Sequence, residues 1–256
     1  MRNFKYQPIL KAVVYISLLL NTSTLTASPI STEEHSISEV TRSRQSKEEW
    51  LALIDYSHKY MQEHQDELVV EKNESGFYRI NIPAPSYLKS AEKLRLHYWP
   101  IDSSTQILEE SIHDHPKLFE SYIVNGGYRH ALYIKSDASQ DDSKYTIFKV
   151  NKLQKGFDVS GQTYLHQDQI EKARENAVVI MSTDVIHRVL TYVPGTLSMN
   201  IVYEDSTNKD HYNVFISEDG SEDDVKTERA SLVGAEKSNI LKEVLARLFN
   251  SIFQRD

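Results

Sequence analysis

The chain has no cysteine, and its 256 residues include only 8 glycines, 7 prolines and 2 tryptophans. The lack of cysteine excludes a disulfide framework, a thiolate zinc finger, an iron–sulfur cluster and a thiol nucleophile. Any metal site must therefore use imidazole and carboxylate ligands, and 10 histidines are present. The formal net charge of -8 also lacks the basic excess of a general nucleic-acid binder, so we expect no nucleic-acid partner.

The first 27 residues have the order of a secretory signal. Basic residues open the segment, an apolar run from Ala12 to Leu20 follows, and small polar residues lead to Ala27. This run is short for a membrane span. We therefore predict a signal peptide over 1–27, export to the periplasm or the outside, and no stable membrane insertion after its removal. An uncleaved anchor or a buried N-terminal helix is the alternative.

Short strand-like segments make up the middle of the chain. From Leu94 to Trp99, apolar residues alternate with Arg95, His97 and Trp99, so these three side chains are expected to share a face. Many short strands at close spacing, with few helices, predict a mainly β sandwich or barrel such as a jelly roll. The predicted strands span 76–82, 94–99, 112–115, 119–125, 128–134, 145–150, 177–181, 187–193, 197–203 and 212–216.

Helices are predicted at both ends of this β domain. Ser46-Lys47-Glu48-Glu49 has the pattern of a capping box, which places the first helix at about 47–65. Apolar residues between Ile240 and Phe253 recur along one face of a second, amphipathic helix. We expect this helix to dock on the barrel or to mediate a homodimer. The predicted organisation is a linker at 28–45, the domain with its leading helix at 46–216, and an acidic connector with the C-terminal helix at 217–256.

The segment from Ile112 to Gly127 carries the strongest chemical signal. On a strand, His113 and His115 would point to the same face and bind one cation together. Glu120, on the following strand, would face the same point as a fourth ligand. An exposed histidine pair without a metal is the alternative, because the His-x-His pattern alone is common.

The spacing of His113, His115, Glu120 and Gly127 resembles the first motif of the cupin superfamily (RmlC-like). The second cupin motif supplies a third histidine, and His187 matches it in order, after an apolar strand. The resemblance implies a double-stranded β-helix, the cupin jelly-roll barrel, which holds a divalent transition metal, with Fe(II) the expected ion. A core or surface histidine is the alternative for His187.

Within the cupins, the closest resemblance is to cysteine-dioxygenase-like thiol dioxygenases. These enzymes have a cysteine–tyrosine cross-link where this chain has Glu120, so the chain departs from that pattern. The resemblance spans about residues 77–204, roughly half of the chain, and four short segments within that range match. They are Tyr78-Arg79-Ile80-Asn81, residues 94–100, Ile112-His113-Asp114-His115 and His187-Arg188-Val189.

Candidate substrate contacts follow from the same segments. Arg79, and after it Arg95, are expected to hold a substrate carboxylate, since a guanidinium can bind it with two hydrogen bonds. A salt bridge at the barrel mouth is the alternative for both. The remaining candidates are His97 and His130 as substrate-binding residues, and Tyr133 and Tyr203 as catalytic acids.

These features predict an exported metal-dependent cupin that acts on a small-molecule substrate. The leading hypothesis is a non-haem iron dioxygenase for a small polar or carboxylated molecule, because three imidazoles leave coordination positions open for a substrate and O₂. The second is an isomerase or lyase in which the metal acts as a Lewis acid. The third is a non-enzymatic binding module.

Overall fold

In a computed structural model of the chain, two antiparallel β-sheets enclose a cavity, and two helices pack on the outer face of one sheet. All the described residues belong to a unit that spans 38–256. The predicted signal peptide and all but the last residues of the predicted linker lie outside the described part of the chain. The structure describes residues 43–73, 76–101, 110–137, 142–151, 156–205, 207, 209–221, 225 and 229–253.

The described part of the chain contains two helices and thirteen strands. The helices are α1 (Lys47–Glu63) and α2 (Gly234–Phe253). The strands are β1 (Val70–Asn73), β2 (Tyr78–Pro83), β3 (Ala91–Tyr98), β4 (Ile112–His113), β5 (Phe119–Asn125), β6 (Gly127–Ser136), β7 (Ser143–Asn151), β8 (Phe157–Arg174), β9 (Val178–Met181), β10 (Ile186–Tyr192), β11 (Leu197–Tyr203), β12 (His211–Ser217) and β13 (Arg229–Ser231).

The strand order is that of a jelly roll. The first sheet runs β13-β1-β2-β3-β11-β5-β9, and the second is a closed set in the order β10-β4-β12-β7-β8-β6. Within them, the four strands β3-β11-β5-β9 are interleaved in sequence with β4-β10-β6-β8 of the other sheet. This interleaving of two Greek keys confirms the predicted double-stranded β-helix, the architecture that cupins share.

Alternation along β3 divides the first sheet into two faces. Leu94 and Leu96 are fully buried in the core cluster that includes Trp50 of α1. Arg95 and His97, between and beyond them, line the cavity. The predicted alternation over 94–99 is confirmed, and one strand serves both the hydrophobic core and the polar interior.

The helices close the outer side of the first sheet. At the start of α1, Glu49 N donates to Ser46 Oγ at 3.2 Å and Ser46 N donates to Glu49 Oε2 at 2.6 Å, so the predicted capping box is confirmed. The buried face of α2, which includes Val244 and Leu248, packs into the same core cluster. The chain itself thus covers part of the apolar face of α2, while Phe249 and Phe253 are exposed, and a homodimer stays a prediction. Neither described helix is long and apolar enough to cross a membrane.

Three strands were not predicted from the sequence. The longest, β8, pairs with both β6 and β7, yet most of its side chains are exposed, so it lacks the apolar alternation of a half-buried strand. The others, β1 and β13, pair with each other at the edge of the first sheet. The strand β13 lies within the predicted acidic connector, so part of that connector is a strand of the first sheet.

Candidate functional site

Strands β4 and β10 place two of the predicted metal ligands opposite each other, with His113 paired to His187. His115 follows two residues beyond the end of β4. The three ring centroids are separated by 4.7 Å (His113–His115), 4.7 Å (His113–His187) and 4.9 Å (His115–His187). One ring nitrogen of each lies within 4.8 Å of the others. The structure therefore brings together the three histidines that the sequence singled out, in a nearly equilateral triangle.

Hydrogen bonding prepares these imidazoles to act as ligands. His113 Nδ1 lies 2.9 Å from the carbonyl oxygen of Ser111, and because that oxygen can only accept, Nδ1 donates and the Nε2 lone pair is left available. The Nε2 atoms of His115 and His187 are 2.7 Å apart, so both point into the same small space.

Burial favours the neutral, ligating form of the third histidine. His187 is buried, and desolvation, reinforced by His113 and His115, holds its pKa well below the ordinary value. Its Nδ1 is enclosed without a hydrogen-bond partner. A set of three imidazoles suits iron, nickel, copper or zinc. The chemistry and spacing of this group, here called the histidine triangle, fit a divalent transition metal.

Asp114, the residue between His113 and His115, holds the segment that follows β4 in place. Asp114 is buried, and its two oxygens accept hydrogen bonds from Asn213 N and Asn213 Nδ2, both at 2.6 Å. Asp114 N in turn donates to the Asn213 carbonyl oxygen at 3.1 Å. The segment that carries His115 is therefore held against β12 after β4 has ended. Asp114 is not a member of the histidine triangle, and its positioning role was not predicted from the sequence.

Asp114→Ala is expected to weaken metal binding by about tenfold, the low end of the cost of losing a contact that supports a metal ligand, because the segment that carries His115 would lose two hydrogen bonds to Asn213. Anaerobic titration with Fe(II) measures the affinity. Asp114→Asn is the matched variant, since its amide oxygen still accepts from Asn213 N, and it should lose less. Equal Fe(II) affinity in the wild type and Asp114→Ala would show that the hydrogen bonds between Asp114 and Asn213 do not position the ligands.

The histidine triangle lies on the wall of a cavity of about 990 Å³ between the two sheets. Arg79 and His97, paired in register on β2 and β3, line this cavity together with Arg95. Three of the four predicted substrate contacts are thus brought into one space with the histidines. His130 differs: it is buried beside His187 with ring centroids 5.9 Å apart, and its Nε2 lies 3.1 Å from Glu171 Oε2 on β8.

The two predicted arginines have different partners. Arg79 forms an ion pair with Glu71 of β1, with Nε 2.8 Å from Oε2, so the salt-bridge alternative describes its contact in the structure. Arg95 Nε donates to Asn81 Oδ1 at 3.3 Å. Burial, with the charges of Arg79 and Arg229, lowers the pKa of Arg95 to about 10, which still leaves it protonated at neutral pH.

Glu120 is not brought to the histidine triangle. It is fully buried on the helix side of the first sheet, where its oxygens accept from Ser43 Oγ at 2.6 Å and Arg44 N at 2.9 Å. Its neighbours Phe119 and Ser121 line the cavity instead. The expectation that Glu120 faces the same point as the histidines is corrected by strand alternation, which directs its carboxylate to the opposite face.

The two tyrosines proposed as acids also lie away from the cavity lining. Tyr203 packs in the helix-side core, where the Arg44 guanidinium lies 4.5 Å from its ring centroid. Burial and the neighbouring Glu120 raise its pKa, which opposes proton transfer near neutral pH. Tyr133 packs in a separate cluster beside Arg188. The structure brings neither of them to the histidines.

Several cavity residues were missed by the sequence analysis. Ser198 and Asn200 of β11 line the cavity beside His97 and Arg95, their partners in register. Both face the cavity through the alternation of side chains along β11. Arg229 of β13 also lines the cavity, and a three-residue strand in a polar segment gives no pattern that would reveal it.

Comparisons with known proteins place few constraints on this chain. No protein-family model matches it, and no curated protein matches it. Among solved structures, oxalate decarboxylase from Bacillus subtilis aligns at 12% identity over 63% of this chain and 29% of its own, with a TM-score of 0.29. A tryptophan-to-tyrosine variant of that enzyme aligns at 10% identity over 62% of this chain and 30% of its own, with a TM-score of 0.28.

A third solved structure is the capsular polysaccharide assembling protein CapF from Staphylococcus aureus. It aligns at 12% identity over 56% of this chain and 31% of its own, with a TM-score of 0.23. This chain therefore spans less than a third of the length of each of these proteins. At such scores the fold assignment rests on the strand order rather than on these likenesses.

Proposed function

We propose that the chain is an exported metal-dependent enzyme of the cupin type, a non-haem iron dioxygenase that acts on a small polar or carboxylated molecule. The observation that carries this proposal is the histidine triangle on the wall of a large polar cavity. Export is inferred from the signal-like sequence of residues 1–27. Fe(II), when bound, would supply the redox chemistry that O₂ activation needs.

The residues of the chain divide the work between them. His113, His115 and His187 would hold the ion, and the Ser111 carbonyl oxygen orients the first of these rings. Across the cavity, Arg79 and Arg95 would orient a carboxylated substrate through charge-assisted hydrogen bonds.

The departure from thiol dioxygenases shapes the proposed substrate. Where those enzymes have the cross-linked cysteine, Glu120 is bound to Ser43 and Arg44 on the far face of the sheet. The side chain of residue 120 therefore does not contribute to the cavity wall near the histidines. A carboxylated molecule without a thiol is the substrate class that the remaining cavity residues support.

The dioxygenase proposal is tested by oxygen consumption. The full chain, loaded with Fe(II) under anaerobic conditions, is expected to take up O₂ when one member of a panel of small carboxylic acids is added, and His113→Ala is expected to show only background uptake. An oxygen electrode with product analysis by mass spectrometry measures both. Bound iron with a converted acid but no O₂ uptake would contradict a dioxygenase and favour the isomerase or lyase. A chain that retains no metal would favour the binding module.

A further inference from the structure

A cluster of positively charged side chains lies in the same cavity, on three of the four strands at one end of the first sheet. Arg79 of β2, Arg95 of β3 and Arg229 of β13 all line this space. In the strand order β13-β1-β2-β3, β2 and β3 are neighbours, and β13 is separated from β2 by β1 alone. Arg229 pairs with Asn73 at the sheet edge. The cluster therefore combines β3, a strand of the jelly roll, with β2 and β13, which extend the same sheet beyond the jelly roll.

The positive charge of this cluster is only partly neutralised. Glu71 forms an ion pair with Arg79. Arg95 has the neutral Asn81 as its hydrogen-bond partner, and Arg229 has no ion pair among the described residues. Three guanidinium groups facing one carboxylate leave an excess of two positive charges.

The other carboxylates that line the cavity have partners of their own, and Asp114 among them is bound to Asn213. Glu92, whose charge also acts on Arg95, is paired with both Lys93 and Lys117, and Lys117 is paired with Glu204 as well. Glu110 lies near the histidines, where its Oε2 accepts from Val189 N at 3.0 Å.

The three guanidinium groups are close enough to act on one another. Burial lowers the pKa of Arg95, and the charges of Arg79 and Arg229 lower it further. The same three cations, after burial, hold the pKa of His97 well below its ordinary value, so His97 is neutral among them. Like charges gathered in a partly desolvated space repel each other, and a bound anion would relieve that repulsion.

His97 adds an unpaired polar atom to this region. Its Nε2 is buried and has no hydrogen-bond partner. Buried polar atoms are normally hydrogen-bonded, and each exception calls for an explanation. A polar ligand group that enters beside Arg79 and Arg95 would be placed next to this ring.

We propose that Arg79, Arg95 and Arg229 form a binding site, here called the seat, for a dianionic group. This group is either a phosphate or a pair of carboxylates, on a ligand that extends towards the histidine triangle. The fork of an arginine side chain matches the oxygens of both groups. Two excess positive charges match a dianion better than a single carboxylate. The identification of this ligand with the substrate rests on the proposed function, whereas the seat depends on its own three arginines.

Calorimetric titration of the full, metal-free chain tests the seat. Inorganic phosphate and succinate are the dianionic probes, and acetate is the monoanion. At least one dianion is expected to bind, more tightly than acetate, and the stronger of the two identifies the anionic group. Arg95→Gln and Arg229→Gln should each weaken that binding by about tenfold or more, as expected for the loss of a charge-assisted contact.

Arg129→Gln is the matched control. Arg129 is exposed on β6 and does not line the cavity, so its removal takes the same charge from the protein and leaves the seat intact. Circular dichroism establishes that each variant is folded, and Arg229, exposed at the sheet edge, is the substitution that the fold tolerates more easily. Equal dianion binding by all three variants, acetate binding as tight as that of the dianions, or no binding of either dianion would overturn the seat.

A separate titration with Fe(II) keeps the two proposals apart. Arg229→Gln should bind Fe(II) as the wild type does. Arginine-dependent binding of a dianion by a chain that binds no metal would leave the seat standing and reject the proposed function. Normal metal binding without dianion binding would reject the seat and leave the proposed function standing.

Discussion

His187→Ala is expected to weaken Fe(II) binding by more than about 100-fold. The substitution removes one of three ligands, whereas the loss of an outer-shell partner alone costs 10–100-fold. His187 is also the most deeply buried ligand and lies opposite His113 in the β4–β10 pair. Anaerobic titration followed by elemental analysis of the desalted protein measures the loss.

His166→Ala is the control for this experiment. His166 lies on β8, about half of its side chain is exposed, and its Nδ1 contacts Asp142 outside the histidine triangle. The His166→Ala variant should therefore bind Fe(II) like the wild type. Equal metal retention by His187→Ala and the wild type would reject the assignment of His187 as a ligand.

Trp50→Ala is expected to lower the free energy of unfolding by about 3–5 kcal/mol, the usual cost of removing a large buried aromatic side chain. Trp50 is 1% exposed, stacks on Tyr122 with ring centroids 5.3 Å apart, and donates from Nε1 to Ser43 Oγ at 3.3 Å. The substitution would open a gap between α1 and the first sheet. Urea denaturation followed by circular dichroism gives the change.

Phe253→Ala provides the comparison for the helix layer. This α2 residue is 66% exposed, so its replacement should change the free energy of unfolding by less than about 0.5 kcal/mol. If Trp50→Ala were as stable as Phe253→Ala, α1 would not be an integral part of the core, and the helix layer described above would be wrong.

Local sequence patterns predicted those elements in which the order of apolar and polar residues matches the burial of the side chains. The alternation of β3 separates Leu94 and Leu96 from Arg95 and His97, and the structure has the same division. The capping box fixed the start of α1. By contrast, β8 is held by backbone pairing with β6 and β7 while most of its side chains are exposed, so no apolar period reveals it.

At the candidate site, the histidines were found but the position of Glu120 was not. The predicted strand 112–115 ends at His113, and the turn that follows sets the phase of β5 independently. A shift of one residue moves a side chain to the other face of a sheet, and counting along the sequence does not resolve such a shift across a turn. The placement of Arg229 depends on the long-range pairing of β13 with β1, which no local pattern records.

The metal-to-protein ratio of the wild-type chain tests the central claim most directly. After anaerobic incubation with Fe(II) and removal of unbound ions, elemental analysis is expected to find one iron per chain, lost when His113, His115 and His187 are all replaced by alanine. A wild-type chain with no bound metal, or with the same metal content as that triple variant, would contradict the account of a metal-dependent enzyme.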